Sequence, residues 1–187
     1  MSQRFFALSD DVYFPHRWHL ATPTDGQGYE VDDWQFSDGK SLLIKGRLRV
    51  PIEHVGKPLD FSEAGIKIPV VHIKVATAFL ELAPNDVQLI PVDIEGHLDQ
   101  YLILVATRLI RCIDEKASRV LLWTPEDGEP EKVGQYRDVR SLRLDKSKTG
   151  NIQVLRPEGW SGTLIVSGEI KAAMEQIGAT GARFEEV

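Results

Sequence analysis

Two histidines three positions apart, His16 and His19, are the residues best placed by type and spacing to do chemistry. On a helix this spacing puts both imidazoles on one face, where zinc could use them together with a carboxylate. Pro15 and the lack of helical periodicity around it argue against a helix here. Two histidines without a cysteine or a matched acid are a weak signal for a metal site. We therefore expect no metal, and keep a small metal-dependent hydrolase using His16 and His19 as the alternative.

A nucleophile with a neighbouring base would be a second kind of reactive group. Cys112 has Asp114 close by in sequence but no base, and its apolar surroundings predict a buried, unreactive thiol. The serine–glycine pairs at 161–162 and 167–168 lack the flanking glycines of a nucleophile elbow. No glycine-rich phosphate-binding motif occurs either. The sequence therefore predicts no catalytic residue and no cofactor.

Four carboxylates and two aromatic side chains fall within one irregular segment, residues 25–34, with no Lys or Arg between Arg17 and Lys40. Paired loop acids are more often solvated than catalytic, because catalysis needs a cleft that shifts their pKa values. Aromatic anchors with an acidic rim do suit the basic surface of a protein partner. The candidate partner-binding residues, which include one tryptophan seven positions before the segment, are Trp18, Asp25, Tyr29, Glu30, Asp32, Asp33 and Trp34. Solvated surface turns are the alternative interpretation, and the acidic segment 126–131 is the next candidate.

Charge and cysteine content limit the classes of partner and compartment. A formal net charge of -6, from 22 basic and 28 acidic residues, argues against general nucleic-acid binding, which needs a basic surface. A single cysteine cannot form an internal disulfide and favours a reducing compartment. Neither a signal-peptide pattern nor an apolar stretch long enough for a membrane span occurs. We therefore expect a cytoplasmic protein with no nucleic-acid or membrane partner, and leave a homo-oligomer open.

The elements that must position these residues are organised around the longest apolar run, residues 101–106, and its neighbour, residues 87–94. Six such residues in succession place bulk on both faces of an extended chain, as in a strand buried on both sides. Residues 95–100 are a connection short enough for an antiparallel hairpin. Pro91 cannot donate a ladder hydrogen bond, so we expect a bulge there or an orientation away from a neighbouring strand.

Two segments change to a helical period. Apolar residues recur at three- and four-residue spacing in residues 75–83 and again in residues 170–177. Ser167 is a good N-cap for the second helix, and Gly178 suits the left-handed position after its last turn. With several further short strands, the pattern predicts an α+β fold of one domain, residues 1–187. We expect a mainly antiparallel sheet built on the central hairpin, with two short amphipathic helices.

Three groups of residues together resemble a known family. They are Pro58-Leu59-Asp60-Phe61 with Pro69-Val70-Val71, then Tyr101-Leu102-Ile103-Leu104 with residues 112–118, and finally Val166-Ser167 with Glu169-Ile170, Gly181 and Phe184. In this order and spacing the chain resembles immunity protein family eleven of the bacterial polymorphic-toxin systems. The resemblance covers most of the chain, from about Phe5 onwards, and its motifs are largely apolar and structural.

The resemblance implies a non-enzymatic antidote, since members of the family are thought to bind and silence a toxin. Together with the acidic segment, it leads us to expect occlusion of a cognate protein toxin whose contact face is basic. A structural module that dimerises through a sheet edge is the remaining alternative.

Overall fold

The computed structural model describes residues 3–187 of the chain, which form two large sheets, a two-stranded ribbon and two α-helices. The helices are α1 (Ile73–Leu82) and α2 (Gly168–Gln176). The strands are β1 (Phe5–Asp10), β2 (His19–Leu20), β3 (Leu48–Val50), β4 (Ile52–His54), β5 (Phe61–Ala64), β6 (Ile68–His72), β7 (Val87–Ile94), β8 (Tyr101–Ala106), β9 (Leu109–Ile110), β10 (Arg119–Leu122), β11 (Tyr136–Arg140), β12 (Val154–Pro157), β13 (Leu164–Ser167) and β14 (Ala182–Glu186). This confirms the predicted α+β class.

The larger sheet is a nearly closed barrel. Its strand order is β3-β7-β8-β6-β5-β2-β4, so β3 and β4 stand at opposite ends of the order. The same two strands are separated in the chain by Pro51 alone, which means that the two ends of the sheet meet there. Ala21 donates its backbone N–H to the Pro51 carbonyl at 2.9 Å, and Thr24 bridges to Arg49 beyond it. On one side of Pro51, β3 therefore pairs with β7, and on the other side β4 pairs with β2.

The central hairpin, β7 with β8, is placed as the sequence predicted. Along β8, Ile103 and Val105 point into the barrel, while Leu104 and Ala106 face its outside, and all four are fully buried. A strand buried on both faces needs this uninterrupted apolar run. The register continues through Pro91, which is opposite Leu102, so the strand contains no bulge at that point.

The smaller sheet covers the outside of the barrel. Its order is β14-β1-β13-β12-β9, and it shares a core with α1, α2 and the outer face of β8. Parallel pairs occur between β3 and β7, β2 and β5, and β9 and β12, while the other strand pairs are antiparallel. The ribbon β10–β11 stands apart from both sheets.

Both predicted helices are confirmed. The first begins earlier than the predicted range, because the His72 side chain accepts the Lys74 N–H at 3.3 Å and so caps it. The second is capped as expected, with the Ser167 hydroxyl accepting the Ile170 N–H at 3.3 Å. Gly178 follows it with φ of 64°, the left-handed value that favours glycine. Neither helix has the length and apolar composition to cross a bilayer.

Candidate functional site

The predicted partner-binding segment forms a tight hairpin, residues 23–31, which we call the acidic hairpin. Val31 donates its N–H to the Pro23 carbonyl at 3.0 Å, and Asp25 donates its own N–H to the Tyr29 carbonyl at 2.9 Å. The Asp25 carboxylate accepts the N–H groups of Gln27 and Tyr29 at 2.8 and 3.0 Å. Asp25 therefore shapes the tip, while Tyr29, 69% exposed, is presented to solvent. Glu30 is exposed beside it.

A short 3-10 helix, Asp33–Ser37, follows the acidic hairpin and presents Trp34. Its N-cap is Asp32, whose carboxylate accepts the Trp34 N–H at 3.0 Å. This bond satisfies a backbone donor that the helix itself leaves unpaired and holds the tryptophan backbone in place. Trp34 is 61% exposed, and Asp32 is exposed next to it. Together they put an aromatic surface and a negative charge side by side.

Asp33 does not belong to this surface, which corrects the expectation from sequence. Its carboxylate is buried and accepts the Ile66 N–H and, at 3.2 Å, the Thr22 hydroxyl. It thereby ties the 3-10 helix to the turn between β5 and β6. That turn needs glycine at position 65, because a Cβ there would come within 2.4 Å of the Asp33 carboxylate. Asp33 therefore supports the exposed residues around it through these hydrogen bonds, and its own buried carboxylate is not available to a partner.

Trp18 is likewise a core residue, and its expected contact with a partner is wrong. Its side chain is 0% exposed within the barrel and donates its indole N–H to the Ser62 hydroxyl at 2.8 Å. Its ring packs against those of Tyr101 and His97, with centroids 5.4 and 5.0 Å away. The alternation of Trp18 and Leu20 with polar His19 is the period-2 signal that indicates a strand facing the core.

The structure adds a cleft that the sequence did not indicate. It has a volume of about 380 Å³ and opens between Trp34 and Trp160. We call it the tryptophan cleft. One wall is made by Trp34, Ser37, Ile66 and Lys67, and the other by residues 159–163. Most of its lining is apolar, and Ile66 is 51% exposed. Periodicity does not reveal such a cleft, because its walls come from three separate parts of the chain.

The second wall is held by a buried arginine. Arg156 is fully buried in β12 and donates from Nη1 to the Ser161 carbonyl at 2.7 Å. Burial lowers the pKa of Arg156 to about 10, so the guanidinium is still charged at neutral pH. Burial also raises the pKa of the nearby Glu63 carboxyl, and the charge of Asp10 adds to this effect. Each wall of the cleft is thus fixed by a buried ionisable side chain.

The histidines do not form the cluster that a metal enzyme would need. His19 lies in β2 opposite His54 of β4, with ring centroids 5.4 Å apart, while His16 lies in a turn at φ of 57°. Within residues 3–187 no group of three or more His, Cys, Asp or Glu side chains is arranged to hold a metal ion. The absence of a bound metal stays a prediction.

Comparison with protein-family models gives a match. A family model described as "Immunity protein family (Imm11)" matches residues 47–187. A search of curated proteins returned no match. The matched range includes Ile66, Arg156 and the loop of residues 159–163, whereas the acidic hairpin and Trp34 precede it.

Proposed function

Because the chain belongs to the Imm11 immunity protein family, we propose that it is an antidote that binds a cognate toxin and blocks it by occlusion. The family match carries this proposal, since it extends over most of the chain. Occlusion requires a preformed surface that covers an active site or an essential binding face of the toxin. Complexes of this kind typically bury roughly 1,600 Å² and depend on a few aromatic or charged anchors.

We place the contact face at the acidic hairpin and Trp34. Tyr29 and Trp34 are large exposed aromatic side chains, and Glu30 and Asp32 lie next to them with exposed carboxylates. An interface of this composition has apolar anchors at its centre and charges at its rim. The charges are negative, so the toxin face that complements them is basic.

Binding without catalysis fits the described residues better than an enzyme does. Cys112, the one thiol in the sequence, is fully buried, and burial raises its pKa to about 11. A thiol in that environment is protonated and unreactive at neutral pH. The pair proposed for a hydrolase, His16 and His19, is split between a turn and a strand. We place the protein in the cytoplasm, where a single free cysteine remains reduced.

The test of the antidote function takes as the candidate toxin the product of the open reading frame immediately upstream. The two proteins are produced together and purified through a tag on the toxin, and growth of cells making the toxin is measured with and without the antidote. We expect a stable one-to-one complex and restored growth. Unrestored growth together with no complex at micromolar concentrations would show that this chain is not the antidote of that toxin.

A further inference from the structure

The geometry points to the tryptophan cleft as the anchor pocket that receives an apolar side chain from the toxin's contact face. This inference rests on the proposed antidote function and specifies the part of the surface that holds the complex. The acidic hairpin would then steer the encounter, whereas the cleft would slow dissociation.

The cleft is apolar and unfilled by the protein's own side chains. Trp34 is 61% exposed and Ile66 is 51% exposed, although both border the same cavity of about 380 Å³. Apolar surface left open in this way is removed from water when a partner inserts a side chain between the walls. Tryptophan is also one of the residue types enriched among the few positions that dominate binding energy. The cleft therefore has the composition expected of an anchor pocket.

The cleft is also rigid before any partner arrives. The buried carboxylate of Asp33 fixes the Trp34 and Ile66 wall, because it accepts the Ile66 N–H from within the 3-10 helix that carries Trp34. The Arg156 guanidinium fixes the opposite wall through the Ser161 carbonyl at 2.7 Å. Preformed walls lose little conformational entropy on binding, which increases the affinity that a given contact provides. Occlusion by a preformed surface requires this arrangement.

The exposure and charge of the site favour a protein side chain over other occupants. A small-molecule pocket usually buries 70–90% or more of its ligand. Two of the large apolar side chains that line the cleft, Trp34 and Ile66, are each more than half exposed, which leaves the cleft too open for that. The charged residue of the lining is Lys67, and the exposed carboxylates of Glu30 and Asp32 lie outside the cleft, close to Trp34 in the sequence. A second copy docked on the same face by two-fold symmetry would present these same charges to the first copy. Like charges facing each other oppose such a dimer, whereas a basic toxin face complements them.

Three substitutions test the cleft against the cognate toxin domain. Trp34→Ala removes the indole from the first wall, Ile66→Ala shortens a second side chain of that wall, and Gly162→Leu adds an apolar side chain to the lining of the opposite wall. Gly162 accepts a side chain without strain, because its φ is not left-handed and a Cβ there meets nothing within 4 Å. Leu80→Ala on α1 is the matched control, since Leu80 is also 51% exposed but lies outside the cleft. Thermal unfolding of each variant verifies that it is folded.

We expect the dissociation constant for the toxin to rise about 30-fold in Trp34→Ala and about 10-fold in Gly162→Leu. Faster dissociation should account for most of each increase. Ile66→Ala should weaken binding about fivefold and Leu80→Ala by less than about twofold, with melting temperatures close to wild type. If wild type binds the toxin and folded Gly162→Leu binds equally well, the cleft is not the anchor pocket, although the antidote function stands. If wild type itself does not bind, the proposed function fails first.

Two further measurements address the other occupants. Sedimentation equilibrium of the free protein should give the same molar mass for wild type and for Trp34→Ala. A dimer that this substitution dissociates would assign the cleft to a second copy and overturn the inference. Titration with a small apolar dye should show only weak binding that the toxin displaces. Tight one-to-one dye binding that persists at saturating toxin would also overturn it.

Discussion

At the scale of single residues, Asp33 has the largest structural consequence of the acids in its segment. Its carboxylate accepts hydrogen bonds from Ile66 and Thr22 in a buried setting. Asp33→Ala should lower the free energy of unfolding by roughly 1–3 kcal/mol, because the partly buried Ile66 N–H and Thr22 hydroxyl lose their acceptor. Chemical denaturation measures this change. Glu30→Ala, at an exposed position three residues earlier, is the control and should change the free energy by less than about 0.5 kcal/mol. Equal effects of the two substitutions would contradict the buried role of Asp33.

Cys112 provides a residue-scale probe of the core beneath the smaller sheet. Its side chain is fully buried next to Phe5, Leu155 and Ile165, and burial raises the pKa of the thiol to about 11. A disulfide reagent added at pH 8 should therefore react with native protein only as fast as the protein opens. In denaturant the same thiol should react within the mixing time of a normal assay. Rapid reaction of the native protein would show that Cys112 is accessible.

The pH dependence of stability should include a contribution from Asp60. Burial alone would raise the pKa of this carboxyl, but hydrogen bonds from Lys74 and Thr180 outweigh burial and hold it below the ordinary 3.8. A carboxyl with a lowered pKa in the folded state stabilises the fold at neutral pH, and this stabilisation disappears as the pH falls through the folded value. Denaturation midpoints measured from pH 7 to pH 2 should therefore fall less steeply for Asp60→Asn than for wild type. Asp99→Asn, at an exposed position, should leave the wild-type slope unchanged.

At the scale of elements, the central hairpin provides the most direct test of the fold. Leu104 is fully buried on the outer face of β8, opposite Leu89 of β7. Leu104→Ala should cost roughly 2–5 kcal/mol in the free energy of unfolding, from lost burial and from the cavity that remains. Leu98→Ala, at a fully exposed position between the same two strands, should cost less than about 0.5 kcal/mol. A denaturation curve for Leu104→Ala that shifts by less than about 1 kcal/mol would show that the register of the hairpin is different.

Local pattern was sufficient for some elements and insufficient for others. The hairpin follows from an uninterrupted apolar run and both helices follow from periodicity, because in each case the buried residues lie within one segment of the chain. The barrel does not, since its closure depends on Thr24 meeting Arg49 and on a proline that joins the two ends of the sheet. Residues 13–36 have no persistent hydrophobic period, yet they contain β2 and the first turn of the 3-10 helix.

The candidate site likewise contains residues that local sequence was sufficient to select and residues whose environment depends on distant parts of the chain. Composition selected Tyr29, Glu30, Asp32 and Trp34, which are exposed, and their contact with a partner stays a prediction. It also selected Trp18 and Asp33, whose burial depends on partners far away in sequence. Trp160 was missed for the converse reason, because its proximity to Trp34 exists only after folding.

At the scale of the whole molecule, the negative charge should control how fast the complex forms. Glu30→Lys combined with Asp32→Asn reverses the net charge of this exposed pair, while the asparagine can still accept the Trp34 N–H and keep the helix cap. Association with the toxin should slow by about tenfold at low ionic strength, and dissociation should change less, because rim charges mainly steer the encounter. Stopped-flow mixing at several salt concentrations measures both rates.

The control for this prediction is Glu81→Lys with Asp99→Asn, which changes the net charge equally at exposed positions outside the candidate site. It should slow association only slightly. At ~1 M salt, where the Debye length is about 3 Å, wild type and both variants should associate at similar rates. If the control slows association as much as the test variant does, the effect comes from net charge and not from the acidic hairpin.

The position of β1 has a consequence for the timing of protection. This strand, which contains Phe5 and Phe6, pairs on one side with β13 and on the other with β14, so nearly the whole described chain lies between it and its partners. During synthesis, β1 leaves the ribosome long before either partner exists, with its apolar residues unprotected. Pairings between such distant segments form slowly, so we expect the sheet to close after the barrel hairpin. A cell that relies on such an antidote is safer with a stock of folded molecules than with synthesis begun only after the toxin arrives.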